Sequence, residues 1–150
     1  MKGNKIFWMV VGGLLLVAPS WAGPYTTTGD EVTDQRTGLV WQGQSDGQRR
    51  DWQGAIAYCE GLLLAYQSVW RVPNIKELDS ISDINELYFI VNPSADRIFD
   101  GTNSDNPDYW SSTTYASNSS RAWVVDSFDG FVGPIDKSTL MNVRCVRGGQ

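Results

Sequence analysis

The order of periodicities along the chain, helices first and antiparallel strands last, predicts an α+β fold, with two helices packed on a small antiparallel sheet. Apolar residues recur at helical spacing through residues 51–81. Two-residue alternation takes over from residue 109, and a long polar segment lies between the two regions. Cys59 falls in the first region and Cys145 in the last strand-like stretch.

The N-terminus has the three parts of a cleavable secretory leader. Lys2 and Lys5 give a positive start, residues 6–17 are apolar apart from Gly12 and Gly13, and Pro19, Ser20 and Ala22 supply a breaker and small residues. The apolar run is shorter than the roughly 20 residues of a spanning helix. The expectation is a signal peptide over residues 1–22, cut after Ala22, and a single domain over residues 23–150. Such a protein is secreted or periplasmic, with no stable membrane insertion after cleavage.

Charge and composition narrow the function. Without Lys2 and Lys5, 10 basic residues face 17 acidic ones, a net charge of about −7. Nucleic-acid binders show the opposite balance, so no nucleic-acid partner is expected. The chain has no histidine. That excludes Ser-His-Asp and Cys-His catalysis and histidine-ligated zinc. In an oxidising compartment an even pair of cysteines invites a disulfide; the alternative is two free buried thiols.

Each element then has a local reason. Residues 23–30 are polar and rich in turn formers, and read as a lead-in. Two extended pieces follow in residues 31–42 around Asp34-Gln35-Arg36-Thr37-Gly38, and residues 43–50 are loop by composition. The clearest helix spans residues 51–66. Trp52, Ala55, Ile56, Cys59, Leu62, Leu63 and Tyr66 share one face, and Asp51 caps the start. Residues 69–72 are a short strand ended by Pro73. Asn74 and Glu77 have capping-box spacing and open a second helix with Ile75, Leu78 and Ile81 inward. An apolar run at 87–91 has no clear period. Residues 109–115, 121–128 and 142–147 read as strands, and Asp129-Gly130 as a hairpin turn leading into 131–135.

Six landmarks in order carry a family resemblance. They are Thr37-Gly38-Leu39-Val40-Trp41; Trp52, Ala55, Tyr58 and Cys59; Trp70-Arg71-Val72-Pro73-Asn74 with Glu77-Leu78; Tyr109-Trp110-Ser111-Ser112-Thr113; Ala122-Trp123 with Val125; and Val143-Arg144-Cys145-Val146-Arg147-Gly148. Together they resemble the Lcl C-terminal domain family of bacterial surface and secreted proteins. The resemblance implies a C-type-lectin-like fold in which a first-helix cysteine bridges to the last strand and the chain ends pair. The family's named member is the tail of a collagen-like adhesin, a trimer that binds sulfated glycans. The present chain departs from it in having no Gly-X-Y segment and an acidic balance.

Candidate ligand chemistry concentrates after the helices. Asp96, Asp100, Asn103, Asp105, Asn106 and Asp108 offer many oxygen donors in a short stretch. Calcium takes about six to eight oxygens, so Asp100, Asp105 and Asp108 are the residues to hold one, with Asp126 or Asp129 as later partners. The plain alternative is that Asp and Asn favour loops through bonds to nearby amides, and no cofactor is otherwise expected. Asp100, Asn103, Asp105, Asp108, Trp110 and Arg121 form the expected ligand-binding set. Trp41, Trp52, Trp70 and Trp123 are expected to be core. Arg121, Arg144 and Arg147 either form an anion patch or pair with surface carboxylates. No spacing singles out a catalytic carboxylate pair.

The function expected is a non-catalytic binding module for a glycan or protein, acting through the loop region at 96–120. The alternative is an assembly subunit of an envelope or appendage complex, and either role is compatible with a homo-oligomer.

Overall fold

The computed structural model describes residues 25–81, 108–126 and 130–148. The expected leader, the apolar run at 87–91 and most of the polar loop lie outside these residues.

Two antiparallel sheets replace the single one expected. The first comprises β1 (Tyr25–Thr28), β2 (Glu31–Asp34), β3 (Val40–Gln42) and β7 (Val146–Arg147), in the order β1-β2-β3-β7. The second comprises β4 (Asp108–Thr114), β5 (Arg121–Asp126) and β6 (Val132–Asp136), in sequence order. The expected lead-in contains β1 because its three threonines are β-branched and Tyr25 is buried against the core. Thr28 pairs with Glu31 across a two-residue turn in which Gly29 takes a φ of 59°.

The turn between β2 and β3 is held from within. Asp34 is fully buried, and its carboxylate accepts from the Arg36 amide at 2.9 Å and the Thr37 hydroxyl at 2.8 Å. Gly38, at φ 71°, completes the reversal.

Helix α1 (Trp52–Glu60) starts as expected, with the Asp51 carboxylate accepting from the Gly54 amide at 2.7 Å. It stops six residues before the expected end. The apolar spacing runs on through Leu62, Leu63 and Tyr66, but the backbone leaves the helix at Gly61. Leu64 and Gln67 then exchange backbone hydrogen bonds of 3.1 and 2.9 Å around Ala65 and Tyr66, whose φ angles are 49° and 61°.

Helix α2 (Ile75–Ser80) carries the expected capping box. Asn74 Oδ1 accepts from the Glu77 amide at 2.9 Å, and Glu77 Oε2 from the Asn74 amide at 2.8 Å. The strand expected at 69–72 reduces to a bridge between Arg71 and Val146. The strand expected at 142–147 pairs regularly only in β7. Before it, Met141 bridges to Arg50 and Asn142 to Tyr109, so this segment passes from one sheet to the other. None of the described helices is long and apolar enough to cross a membrane.

The core has two parts. One gathers Val32, Leu39, Trp41, Leu78, Tyr109, Val125 and Val146 between the first sheet, α2 and one face of the second sheet. The other gathers Ala55, Cys59, Trp70, Trp110, Val124, Val143 and Cys145 beneath α1. Cys59 and Cys145 are bonded, with Cα atoms 5.5 Å apart across 86 positions. Both are fully buried. A loop of that length contributes about 4 to 5 kcal/mol in the chain-entropy treatment.

Candidate functional site

Strand β5 sorts its side chains by alternation. Ala122 and Val124 enter the core beneath α1, which puts Arg121, Trp123 and Val125 on the opposite face. Val125 is covered in the core that also contains Leu78 and Ile81. Trp123, two residues back, is only half-buried. Its β6 neighbour is Pro134, and the Tyr115 ring meets it edge to face at 5.5 Å and 84°.

The turn beside these rings is firm and polar. Residues 116–120 read Ala-Ser-Asn-Ser-Ser and are all exposed. Asn118 Oδ1 accepts from the Ser120 amide at 3.0 Å and its hydroxyl at 2.8 Å. The Tyr115 amide donates to the Arg121 carbonyl at 2.9 Å, closing the hairpin. Arg121 is exposed and stands opposite Asp136. The Asp136 carboxyl is held below its usual range by the Ser138 amide and hydroxyl, with a smaller contribution from the Arg121 charge. An edge of two partly open rings, a hydroxyl- and amide-bearing turn and a guanidinium can stack on a flat apolar face and donate to oxygen acceptors.

The other expected site residues divide clearly. Asp96, Asp100, Asn103, Asp105 and Asn106 lie outside the described residues, as does Asp129. Asp108 opens β4, and its carbonyl accepts from the Asn142 amide at 3.0 Å and side chain at 3.2 Å. It stands opposite Asp126 in the β4–β5 register, so two carboxylate residues do face each other there. Among the described residues no group of three His, Cys, Asp or Glu side chains is placed to hold a metal ion.

Trp110 is corrected by its burial. The ring is 0% exposed, and its indole N–H donates to the Arg50 carbonyl at 2.9 Å. It offers no face to a ligand. Trp41 and Trp70 are core as expected. Trp52 is half-buried, donating to the Ser111 carbonyl at 2.8 Å with the Lys137 ammonium 3.8 Å from its ring centroid.

The arginines do not gather into one patch. Arg147 pairs with Glu31 through hydrogen bonds of 3.0 and 3.1 Å. Arg144 is buried rather than on the surface, and clamps the Gln42 and Gly43 carbonyls at 2.7 and 2.8 Å. A buried cation of this kind is structural. Tyr115 and Trp123 are the residues that sequence reasoning missed as a pair. The available signal was the strict alternation of Ala122-Trp123-Val124, which sends the ring away from its small and branched neighbours.

No curated protein matches the chain. The family model for the Lcl C-terminal domain matches residues 30–147, reaching from the turn after β1 to the end of β7. With most of its length and every described strand and helix from β2 to β7 inside that match, the chain belongs to the Lcl C-terminal domain family.

Proposed function

We propose that this protein is an exported, non-catalytic binding module of C-type-lectin-like fold that recognises a glycan or protein ligand. The observation that carries the reading is the Tyr115–Trp123 edge beside Arg121 and the Ser/Asn turn. Two partly exposed rings next to hydroxyl, amide and guanidinium groups match the chemistry of a sugar's apolar face and its rim of hydroxyls. Two helices, two antiparallel sheets, pairing of β3 with β7 and a disulfide from α1 to the C-terminal segment support the fold reading. The disulfide supports an oxidising location, secreted or periplasmic. Both cysteines are bridged and the chain has no histidine, which supports a non-catalytic role.

The alternative, an assembly subunit, would draw on the exposed side chains of Leu63, Tyr66 and Val69. Three side chains are far fewer than the roughly 20 to 30 residues per side that a stable interface uses. Recognition is therefore the stronger reading.

The test is a glycan array on the purified protein, run with calcium and with a chelator. Binding that disappears in Trp123→Ala and survives the chelator is the expected result. Binding lost with the chelator would move recognition to the acidic residues Asp100, Asp105 and Asp108. Silence in both buffers would count against a glycan and direct the search to protein ligands.

A further inference from the structure

Between Glu60 and Arg71 the sequence Gly-Leu-Leu-Leu-Ala-Tyr-Gln-Ser-Val-Trp carries no charge. Within it Leu63 is 69% exposed, Tyr66 98% and Val69 67%. These are three of the five large hydrophobic side chains exposed among the described residues.

The segment is built to present them. Leu62 and Leu64 pack into the core beneath α1, and the Trp70 indole donates to the Gln67 carbonyl at 3.1 Å. The hairpin hydrogen bonds between Leu64 and Gln67 leave Ala65 and Tyr66 at its tip, both in the left-handed region. That turn normally takes Asn-Gly, and an aromatic residue is strained there. Strain retained at an exposed aromatic tip points to a use for the ring.

The chemistry of the tip selects its occupant. Three exposed side chains are too few to hold a second copy, since a stable interface takes roughly 20 to 30 residues per side, whereas a lipid boundary requires no matched surface of fixed size. Tyrosine, apolar in body and polar at its end, suits the headgroup boundary, with aliphatic neighbours entering just past it. The tip is uncharged while the whole chain carries a net −5, so an anionic surface would repel the body that presents it. We propose that the segment 63–69, with the 64–67 turn at its tip, docks shallowly and reversibly on a zwitterionic lipid surface through Tyr66, Leu63 and Val69.

Vesicle co-sedimentation tests this, using phosphatidylethanolamine–phosphatidylcholine vesicles with and without phosphatidylglycerol. The protein without its expected leader, residues 1–22, is compared with Leu63→Ser/Tyr66→Ser/Val69→Ser and with Tyr66→Gly in the same form, so that the apolar run at 6–17 cannot hold any of them on the vesicle. The triple variant should partition at least about tenfold less than the parent. Tyr66→Gly relaxes the turn while removing the ring, so it should fold as well as the parent and still lose several-fold in binding. Adding phosphatidylglycerol should weaken the parent's binding. Equal partition of parent and triple variant, or binding that grows with anionic lipid, would overturn the proposal. So would a triple variant that loses self-association and leaves lipid binding intact. Trp123→Ala serves as the control for the glycan reading, and should leave partition unchanged.

Discussion

The Arg71 guanidinium grips Glu77 through two hydrogen bonds of 2.7 Å, while the same carboxylate caps α2 by accepting from the Asn74 amide. One side chain thus anchors the bridge to Val146 and the start of the helix together. Glu77→Ala should lower stability by about 1 to 3 kcal/mol, since it removes a cap and a charge-assisted pair. Chemical denaturation of the two proteins measures the difference.

Removing the disulfide should be costlier. Cys59→Ser or Cys145→Ser should destabilise by about 2 to 5 kcal/mol, the usual range for a native disulfide in a small domain. Unchanged melting in both variants would contradict the structural weight placed on the bridge.

Acid should weaken the fold through two carboxylates. Burial would raise the Asp34 pKa, but hydrogen bonds from the Arg36 amide, the Thr37 hydroxyl and the Arg36 guanidinium outweigh it and hold it below its ordinary 3.8. Glu77 is likewise drawn below 4.5, its burial outweighed by Arg71 and the Asn74 amide. A depressed folded-state pKa contributes stability that is full above the unfolded-state pKa and lost as pH falls through the folded one. Stability should therefore hold near neutrality and fall below about pH 4. Asp34→Asn should flatten part of that fall in a series of melting curves, from a lower starting stability.

Easing the left-handed turn should stabilise the protein. Tyr66 at φ 61° costs about 1 to 2 kcal/mol, and glycine's extra unfolded-state entropy gives back about 0.5 to 1. Tyr66→Gly should gain between about 0 and 1.5 kcal/mol. A loss on denaturation would show that the exposed ring stabilises the fold.

Two tryptophans should separate packing from recognition. Trp110→Ala opens a cavity in a fully buried site and should destabilise by about 3 to 5 kcal/mol. Trp123→Ala removes a partly exposed ring and should cost clearly less while abolishing ligand binding. Melting and array binding of the same two variants tell these effects apart.

Local chemistry was the most legible part of the sequence. The Asp51 cap, the Asn74–Glu77 box, the inward Cys59 and the strands around Trp110 and Val124 follow from short-range spacing alone. Longer-range competition was not legible. Helical spacing through Tyr66 lost to Gly61 and to a core that accepts Leu62 and Leu64 but leaves Leu63 outside. The strand at Tyr25 was hidden because its partner, β2, is identified only by register. At the site, Arg121 was visible as an exposed charge, but Trp110 is fully covered and Trp123 only half-buried, the reverse of the burial expected for them. Which tryptophan is covered depends on the sheet face that each packing element occupies, and spacing does not reveal that.

Strand β3 completes its pairing only with β7, and the Cys145 amide donates to the Gln42 side chain 103 positions earlier. This imposes an order on assembly. A ribosome delivers Trp41 long before Val146, so through most of synthesis one edge of the first sheet has no mate and Cys59 has no thiol to meet. Contacts so distant in sequence close late and slowly. The last strand pairing and the disulfide therefore wait until the C-terminal segment has left the ribosome.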